Sequence, residues 1–253
     1  MLDAGVARVA VVSGGGTGIG RAIARALAAD GDRVFVLGRR EEVLARAAAE
    51  LNAELGDARV EPICADLREP AAVAAAAERI AAEGPVDALV NNAGGNFAAH
   101  PADDLEGLRD QWRTNFEGNV LPAVLLTHAL LPCLRRPGGR IVTITSIAAF
   151  RGPATYGGAK AALHAWSAEL GAALAPEGIA VNAVAPGYVT DTEFYGERMN
   201  GEFHADRCSR APAGRGAAPA EIAALVRYLT GPDAGFVTGQ IVQANGGALL
   251  GRG

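Results

Sequence analysis

Val9-Ala10-Val11-Val12 is an unbroken apolar run, and Ser13-Gly14-Gly15-Gly16-Thr17-Gly18-Ile19-Gly20 follows it at once. A run without polar alternation predicts a strand covered on both faces, the usual condition of a parallel sheet. Ile19, Ile23 and Leu27 then recur at helical spacing and predict a helix over 18–29. Strand, glycine turn and helix in that order form the opening of a nucleotide-binding βαβ unit. Glycines let the backbone come close to a pyrophosphate, and the unpaired N–H groups at the helix start attract its charge. The candidate phosphate-binding residues are therefore Gly14, Gly16, Thr17, Gly18, Ile19 and Gly20. Glycine-rich turns are common, so the weight of this one comes from the strand before it and the helix after it.

The rhythm continues along the chain. Further strands are predicted at Arg33–Gly38, Arg59–Cys64, Asp87–Val90, Ile141–Ser146, Ile179–Val184 and Gln240–Ala244. Helices are predicted at 41–55 and 71–83, in a long stretch from about Trp112 to Leu134, from Tyr156 to about Ala175, and at 219–229. This alternation predicts a single α/β domain over 1–253, a parallel sheet with helices on both faces. Residues 190–218 break the alternation without clear periodicity and read as a substrate loop at a strand's carboxyl end.

Ligands in such sheets sit at the carboxyl ends of the strands. Asp66-Leu67, Asn92-Ala93-Gly94 and Pro186-Gly187, with Val189 and Thr192 beyond, all fall at such ends. Asp66 suits either an adenine amino group or the cap of the next helix. The second strand ends at Gly38, followed by Arg39 and Arg40, where an NAD site would place a carboxylate. A guanidinium instead pairs with a 2′-phosphate, which favours NADP(H) over NAD(H) through Arg39. The plain alternative is surface arginine facing Glu41 and Glu42.

The 253 residues, 50% of them apolar, suffice for one well-buried domain. A net charge of −5 with no basic stripe argues against nucleic acid. Cys64, Cys133 and Cys208 are far apart and odd in number, which predicts free thiols in a reducing, cytoplasmic setting. The longest apolar run, Val120–Leu134, is interrupted by Pro122, His128 and Pro132 and is short for a bilayer, so no membrane partner is expected. His100, His128, His164 and His204 do not cluster, and no metal site is expected.

Lys160 is the one lysine among 23 basic side chains, and it stands four residues after Tyr156. On a helix that spacing puts both on one face. An ammonium beside a phenol favours phenolate and is expected to lower the phenol's pKa. Alone, the pair reads equally well as two solvated side chains. Ser146 closes the fifth strand, and Asn115 sits inside a helix, where Asn is disfavoured unless it has a task.

The glycine loop, Asn91-Asn92-Ala93-Gly94, Asn115, Ser146, Tyr156 with Lys160, and Pro186-Gly187 occur in this order across almost the whole chain. That series resembles the classical short-chain dehydrogenases/reductases. The resemblance implies a seven-stranded Rossmann-type sheet and hydride transfer between NADP(H) and a carbonyl or secondary alcohol. The substrate it implies is a small ketone or a 3-oxoacyl thioester, and the assembly a homo-oligomer, tetramer or dimer. It assigns Tyr156 as general acid/base, Lys160 as the holder of the nicotinamide ribose and tuner of Tyr156, Ser146 as the group positioning the carbonyl, and Asn115 as the holder of a water in the proton relay. Asp66, Leu67, Asn92, Ala93, Gly94, Pro186, Gly187, Val189 and Thr192 become cofactor contacts. Two departures leave alternatives. The Ser146–Tyr156 loop is shorter than in many members, so Thr145 or Thr143 competes as the hydroxyl. One extra residue after Pro186-Gly187 lets Thr190 compete with Thr192. Two other functions fit less fully: an NAD(P)-dependent alcohol dehydrogenase of secondary metabolism, and a non-catalytic NADP-binding sensor, which has no need of all four polar groups.

Overall fold

Seven parallel strands organise the computed structural model of the chain, which describes residues 7–97 and 102–251. They are β1 (Val9–Ser13), β2 (Arg33–Gly38), β3 (Val60–Cys64), β4 (Val86–Asn91), β5 (Arg140–Ile144), β6 (Ala180–Pro186) and β7 (Ile241–Ala244). Their order is β3-β2-β1-β4-β5-β6-β7, so the chain reverses its direction across the sheet between β1 and β4. Crevices for ligands open at such a switch point, beyond the carboxyl ends of the strands.

Each central strand feeds two cores by alternation. Ala10 and Val12 face a cluster with Ile23 and Leu27 of α1 (Gly18–Ala29), Leu44 and Leu51 of α2 (Glu41–Leu55), and a helix near the C-terminus. Val9 and Val11 face the other cluster, with Val73 and Ile80 of α3 (Pro70–Ala81) and with Leu126 and Leu130. Each of these Val, Leu and Ile side chains, taken fully out of water, contributes about 1.5–3 kcal/mol. At the amino edge of the sheet, buried Asp87 accepts from the Val9 N–H at 2.9 Å and pairs with Arg135, which fastens β4 to the start of β1.

Between β4 and β5 the long predicted helix is divided into α4 (Leu105–Asn119) and α5 (Leu121–Leu130). Pro122, in the first turn of α5, has no N–H to continue the ladder. The combined helical run Leu105–Cys133 is long and apolar enough to cross a membrane by length and composition. Here Pro122, Ala123, Leu126 and Leu130 of α5 are instead buried within the fold. The short α6 (Ala148–Arg151) lies between Ser146 and α7 (Ala154–Leu174).

Residues 190–218 are more regular than the sequence suggests. They contain a 3-10 turn at Glu193–Arg198 and a helix, α8 (Gly201–Ser209), before α9 (Pro219–Thr230). Asn200 caps α8 by accepting from the Phe203 N–H at 2.9 Å. No residue of α8 is buried, so it carries no apolar stripe from which periodicity could announce it.

Asp32, after α1, is a buried carboxylate whose Oδ2 has no hydrogen-bond partner. Arg8 lies 3.5 Å away but outside hydrogen-bonding geometry. Burial pushes the carboxyl up from 3.8 to about 6, repulsion from Asp87 and Asp30 adds to this, and Arg8 opposes it. A raised carboxyl favours the protonated native state. Its contribution is therefore present below the ordinary carboxylate range and lost as pH rises through about 6. Asp32→Asn is expected to raise the melting temperature by a few degrees at pH 7.5 and by less at pH 4.5, measured by calorimetry; an unchanged or lower value at pH 7.5 would contradict this.

Candidate active site

A cavity of about 580 Å³ runs along the carboxyl edge of the sheet from β3 to β6. Every residue anticipated as a cofactor contact lines it: the glycine loop residues Gly14, Gly16, Thr17, Gly18, Ile19 and Gly20; Arg39, Asp66 and Leu67; Asn92, Ala93 and Gly94; and Pro186, Gly187, Val189 and Thr192. Ser146, Tyr156 and Lys160 line it too, and Asn115 does not.

The glycine loop is shaped for close approach. Gly14 takes the left-handed φ of 65° that side chains resist, and a Cβ on Gly20 would stand 2.1 Å from the Gly14 carbonyl oxygen. Thr17 begins α1 without a side-chain cap and no acidic residue occupies the first turn, which leaves the helix N–H groups facing the cavity's phosphate end. Ser13 and Asn92 hold this loop. The Asn92 side chain donates to the Ser13 and Gly14 carbonyls at 3.0 and 3.2 Å. The Ser13 hydroxyl accepts from the Asn92 and Ala93 N–H groups at 2.9 and 3.0 Å. Asn92 thus works as a clamp between β1 and β4.

At the β2–β3 end, Asp66 is held by Arg68 through both carboxylate oxygens, and this pairing pulls its carboxyl down to about 2. Asp66 does not cap α3; Glu69 stands at that position. Arg39 is exposed and, among the described residues, has no ion pair. Its neighbour Arg40 bonds Glu193 at 2.8 Å, tying the segment after β6 across the cavity. Nothing in the sequence marked Glu193 as a cavity residue, because its contact with Arg40 joins segments 153 residues apart in the chain.

At the other end, Ser146 and Tyr156 line the cavity together despite the short loop between them, and the Ser146 hydroxyl accepts from the Ala148 N–H at 3.1 Å. The competing hydroxyls are placed less well. Thr145 donates to the Val184 carbonyl at 3.0 Å and pairs with His164 at 2.9 Å. Thr143 is fully buried outside the cavity. Lys160 donates to the Ile144 carbonyl at 3.0 Å, and its Nζ lies 6.0 Å from the Tyr156 ring centre. A Cβ on Gly94 would come within 3.1 Å of that Nζ, so a larger residue would press on the lysine.

The expected lowering of the phenol by the lysine is corrected here. Burial pushes Tyr156 up, only partly offset by the Ser146 hydroxyl, and the same burial pulls Lys160 down to about 8. Both groups are less than 10% exposed, so desolvation of each charged form outweighs their mutual effect.

Thr190 and Thr192 are likewise separated. Thr190 is turned to Asp191 and the Ala217 carbonyl, whereas Thr192 packs on Gly18 in the cavity wall with a buried hydroxyl that has no partner. That orphan hydroxyl, the uncapped helix and the glycine cradle together suit a dinucleotide lying from Arg39 to Tyr156.

Asn115 is fully buried behind this wall. Its amide donates to the Gln111 carbonyl at 3.1 Å and to Thr155 at 3.3 Å, and its oxygen accepts from the Phe97 N–H at 3.3 Å. It therefore joins α4 to the residue preceding Tyr156. Asn119, one turn on, was not anticipated. It bridges Gly95 through both backbone groups and also donates to the Asn115 carbonyl at 2.9 Å. A second Asn in one helix was the available signal. His100 lies outside the described residues, and among those described no His, Cys, Asp and Glu group could hold a metal ion.

Residues 14–248 match the family described as enoyl-(acyl carrier protein) reductase. A short chain dehydrogenase from Burkholderia cenocepacia, solved in complex with NADP, is 36% identical, with a TM-score of 0.83 over 96% of this chain and 97% of its own. The 3-oxoacyl-[acyl-carrier-protein] reductase of Escherichia coli is 34% identical over 96% of this chain and 98% of its length. Galactitol 2-dehydrogenase (L-tagatose-forming) of Cereibacter sphaeroides is 36% identical over 94% of this chain and 93% of its length. The chain therefore belongs to the short-chain dehydrogenase/reductase family of oxidoreductases.

Proposed function

We propose that the protein is an NADP(H)-dependent carbonyl reductase acting on a ketone or 3-oxoacyl thioester. The observation that carries this reading is one continuous cavity, with a glycine phosphate cradle and Arg39 toward one end and Ser146, Tyr156 and Lys160 at the other. Similarity to the Burkholderia NADP complex and to the E. coli 3-oxoacyl reductase supports it. Bound NADPH would supply the hydride. Ser146 then orients the carbonyl oxygen, and Tyr156 gives it a proton as negative charge develops there. A phenol pushed upward by burial stays protonated at neutral pH, which suits reduction. Lys160, fixed by the Ile144 carbonyl, places a positive charge beside the phenolate left behind. Asn115 and Asn119 keep α4 rigid behind Tyr156.

The cytoplasm and a homotetramer or dimer complete the proposal. Free thiols at Cys64, Cys133 and Cys208 accord with the first. The exposed α4 stripe of Leu105, Leu108, Trp112 and Phe116 supports the second.

Three outcomes are expected. Tyr156→Phe should leave NADPH affinity within about twofold while lowering turnover by roughly 10²–10⁴-fold in a carbonyl-reduction assay followed by NADPH absorbance. Retained turnover would sink the proton-donor role. Arg39→Ala should raise the KM for NADPH by roughly tenfold and leave NADH nearly unchanged, because the exposed guanidinium is available to a 2′-phosphate; equal effects would remove the basis for NADP(H). The kcat/KM for reduction should be flat through neutral pH and fall above about 8, as Lys160 loses its proton. A profile rising through pH 9 would contradict this assignment.

A further inference from the structure

The reduced carbonyl needs a binding partner for the rest of its molecule, and the walls beside Tyr156 are aromatic. Phe194 lies with its ring centre 5.5 Å from that of Tyr156, and Tyr195 lies 5.0 Å from Phe194. Phe97 lines the same end of the cavity from the β4 side. Phe194 and Phe97 remain 37% and 42% exposed, so their faces are open to a ligand.

Phe194 is also held in place. Tyr195 packs on Phe203 at 5.0 Å and on Tyr188 at 5.5 Å. The Tyr188 hydroxyl is pinned by His204 at 2.8 Å and Met199 at 3.4 Å. The Arg40–Glu193 ion pair anchors the residue just before Phe194. A ring fixed from two sides presents a preformed flat surface, and such surfaces reward flat ligands at low ordering cost.

Charge is absent where a charged substrate would need it. Of the cavity arginines, Arg39 and Arg68 follow β2 and β3 at the far end, and Arg40, which reaches Glu193 beside Phe194, is paired by it at 2.8 Å. Lys160 is buried and engaged by the Ile144 carbonyl. Among the described residues, no unpaired cation lines the cavity beside Tyr156 and Phe194. A carboxylate or phosphate next to the reacting carbonyl would go unpaired there.

We infer that the substrate is an uncharged ring ketone, aryl-fused or cyclic, whose ring lies between Phe194 and Phe97 while its carbonyl oxygen meets Ser146 and Tyr156. This rests on the proposed carbonyl-reductase reading and selects among the substrates it allows. The ketone carbon takes hydride from NADPH, its oxygen takes the Tyr156 proton, and the products are the secondary alcohol and NADP⁺; solvent restores the proton to Tyr156.

The test compares 1-tetralone, a linear acetoacetyl thioester of N-acetylcysteamine, and pyruvate with NADPH. The kcat/KM for 1-tetralone should exceed that of the thioester by about tenfold or more, and pyruvate should not turn over. Phe194→Ala should raise the KM for 1-tetralone by about tenfold, leave the KM for the thioester within about threefold, and leave NADPH affinity unchanged. Phe194→Trp, which keeps an aromatic face, should hold the KM for 1-tetralone within about threefold of the unaltered protein. A faster thioester, or a Phe194→Ala variant that affects both substrates alike, would overturn the ring assignment while leaving carbonyl reduction standing. NADPH binding without reduction of any of the three would overturn both.

Discussion

The clamp between Ser13 and Asn92 is the contact on which the site depends. It joins the carboxyl ends of β1 and β4, the two strands at which the sheet order reverses. One hydroxyl satisfies two backbone N–H groups, and one amide holds two backbone carbonyls. This fixes the glycine loop against the strand that carries Ala93 and Gly94. Gly94 in turn fits closely against Lys160 and Asn119. Phosphate cradle and proton-handling pair are thereby registered to each other through a few short bonds, which matters because hydride transfer tolerates little misplacement.

The second governing effect is desolvation. Tyr156 and Lys160 are buried together, so desolvation opposes the charged form of each. For reduction this is a useful ground state: the phenol keeps its proton until an oxyanion forms nearby. His164, a turn beyond Lys160, is pulled down to about 4 mainly by burial and then by Lys160, so it stays neutral and holds Thr145 without adding a charge. Of these three titratable groups of α7, Tyr156 and His164 are thus held neutral near pH 7, and Lys160 carries the charge.

The sheet and α1, α2 and α9 were legible in the sequence because strands covered on both faces read as unbroken apolar runs, and helices packed on them show a stripe. Tyr156, Lys160 and Ser146 were legible because their spacing follows one helix and one strand end. The rest was hidden for physical reasons. α8 buries nothing and so has no stripe. The break at Val120 depends on one missing N–H at Pro122. Glu193 meets the cavity through a pairing with Arg40 that only the fold creates. The direction of the Tyr156 and Lys160 shifts depends on how dry the pair is, which spacing along a helix does not record.

The most direct test that this cavity transfers hydride to a carbonyl carbon is reduction of 1-tetralone with NADPH carrying deuterium at both C4 positions of the nicotinamide. One deuterium is expected at the carbinol carbon of the product, seen by mass spectrometry and NMR. A product alcohol without deuterium, or NADPH bound and unconsumed with every carbonyl offered, would contradict it.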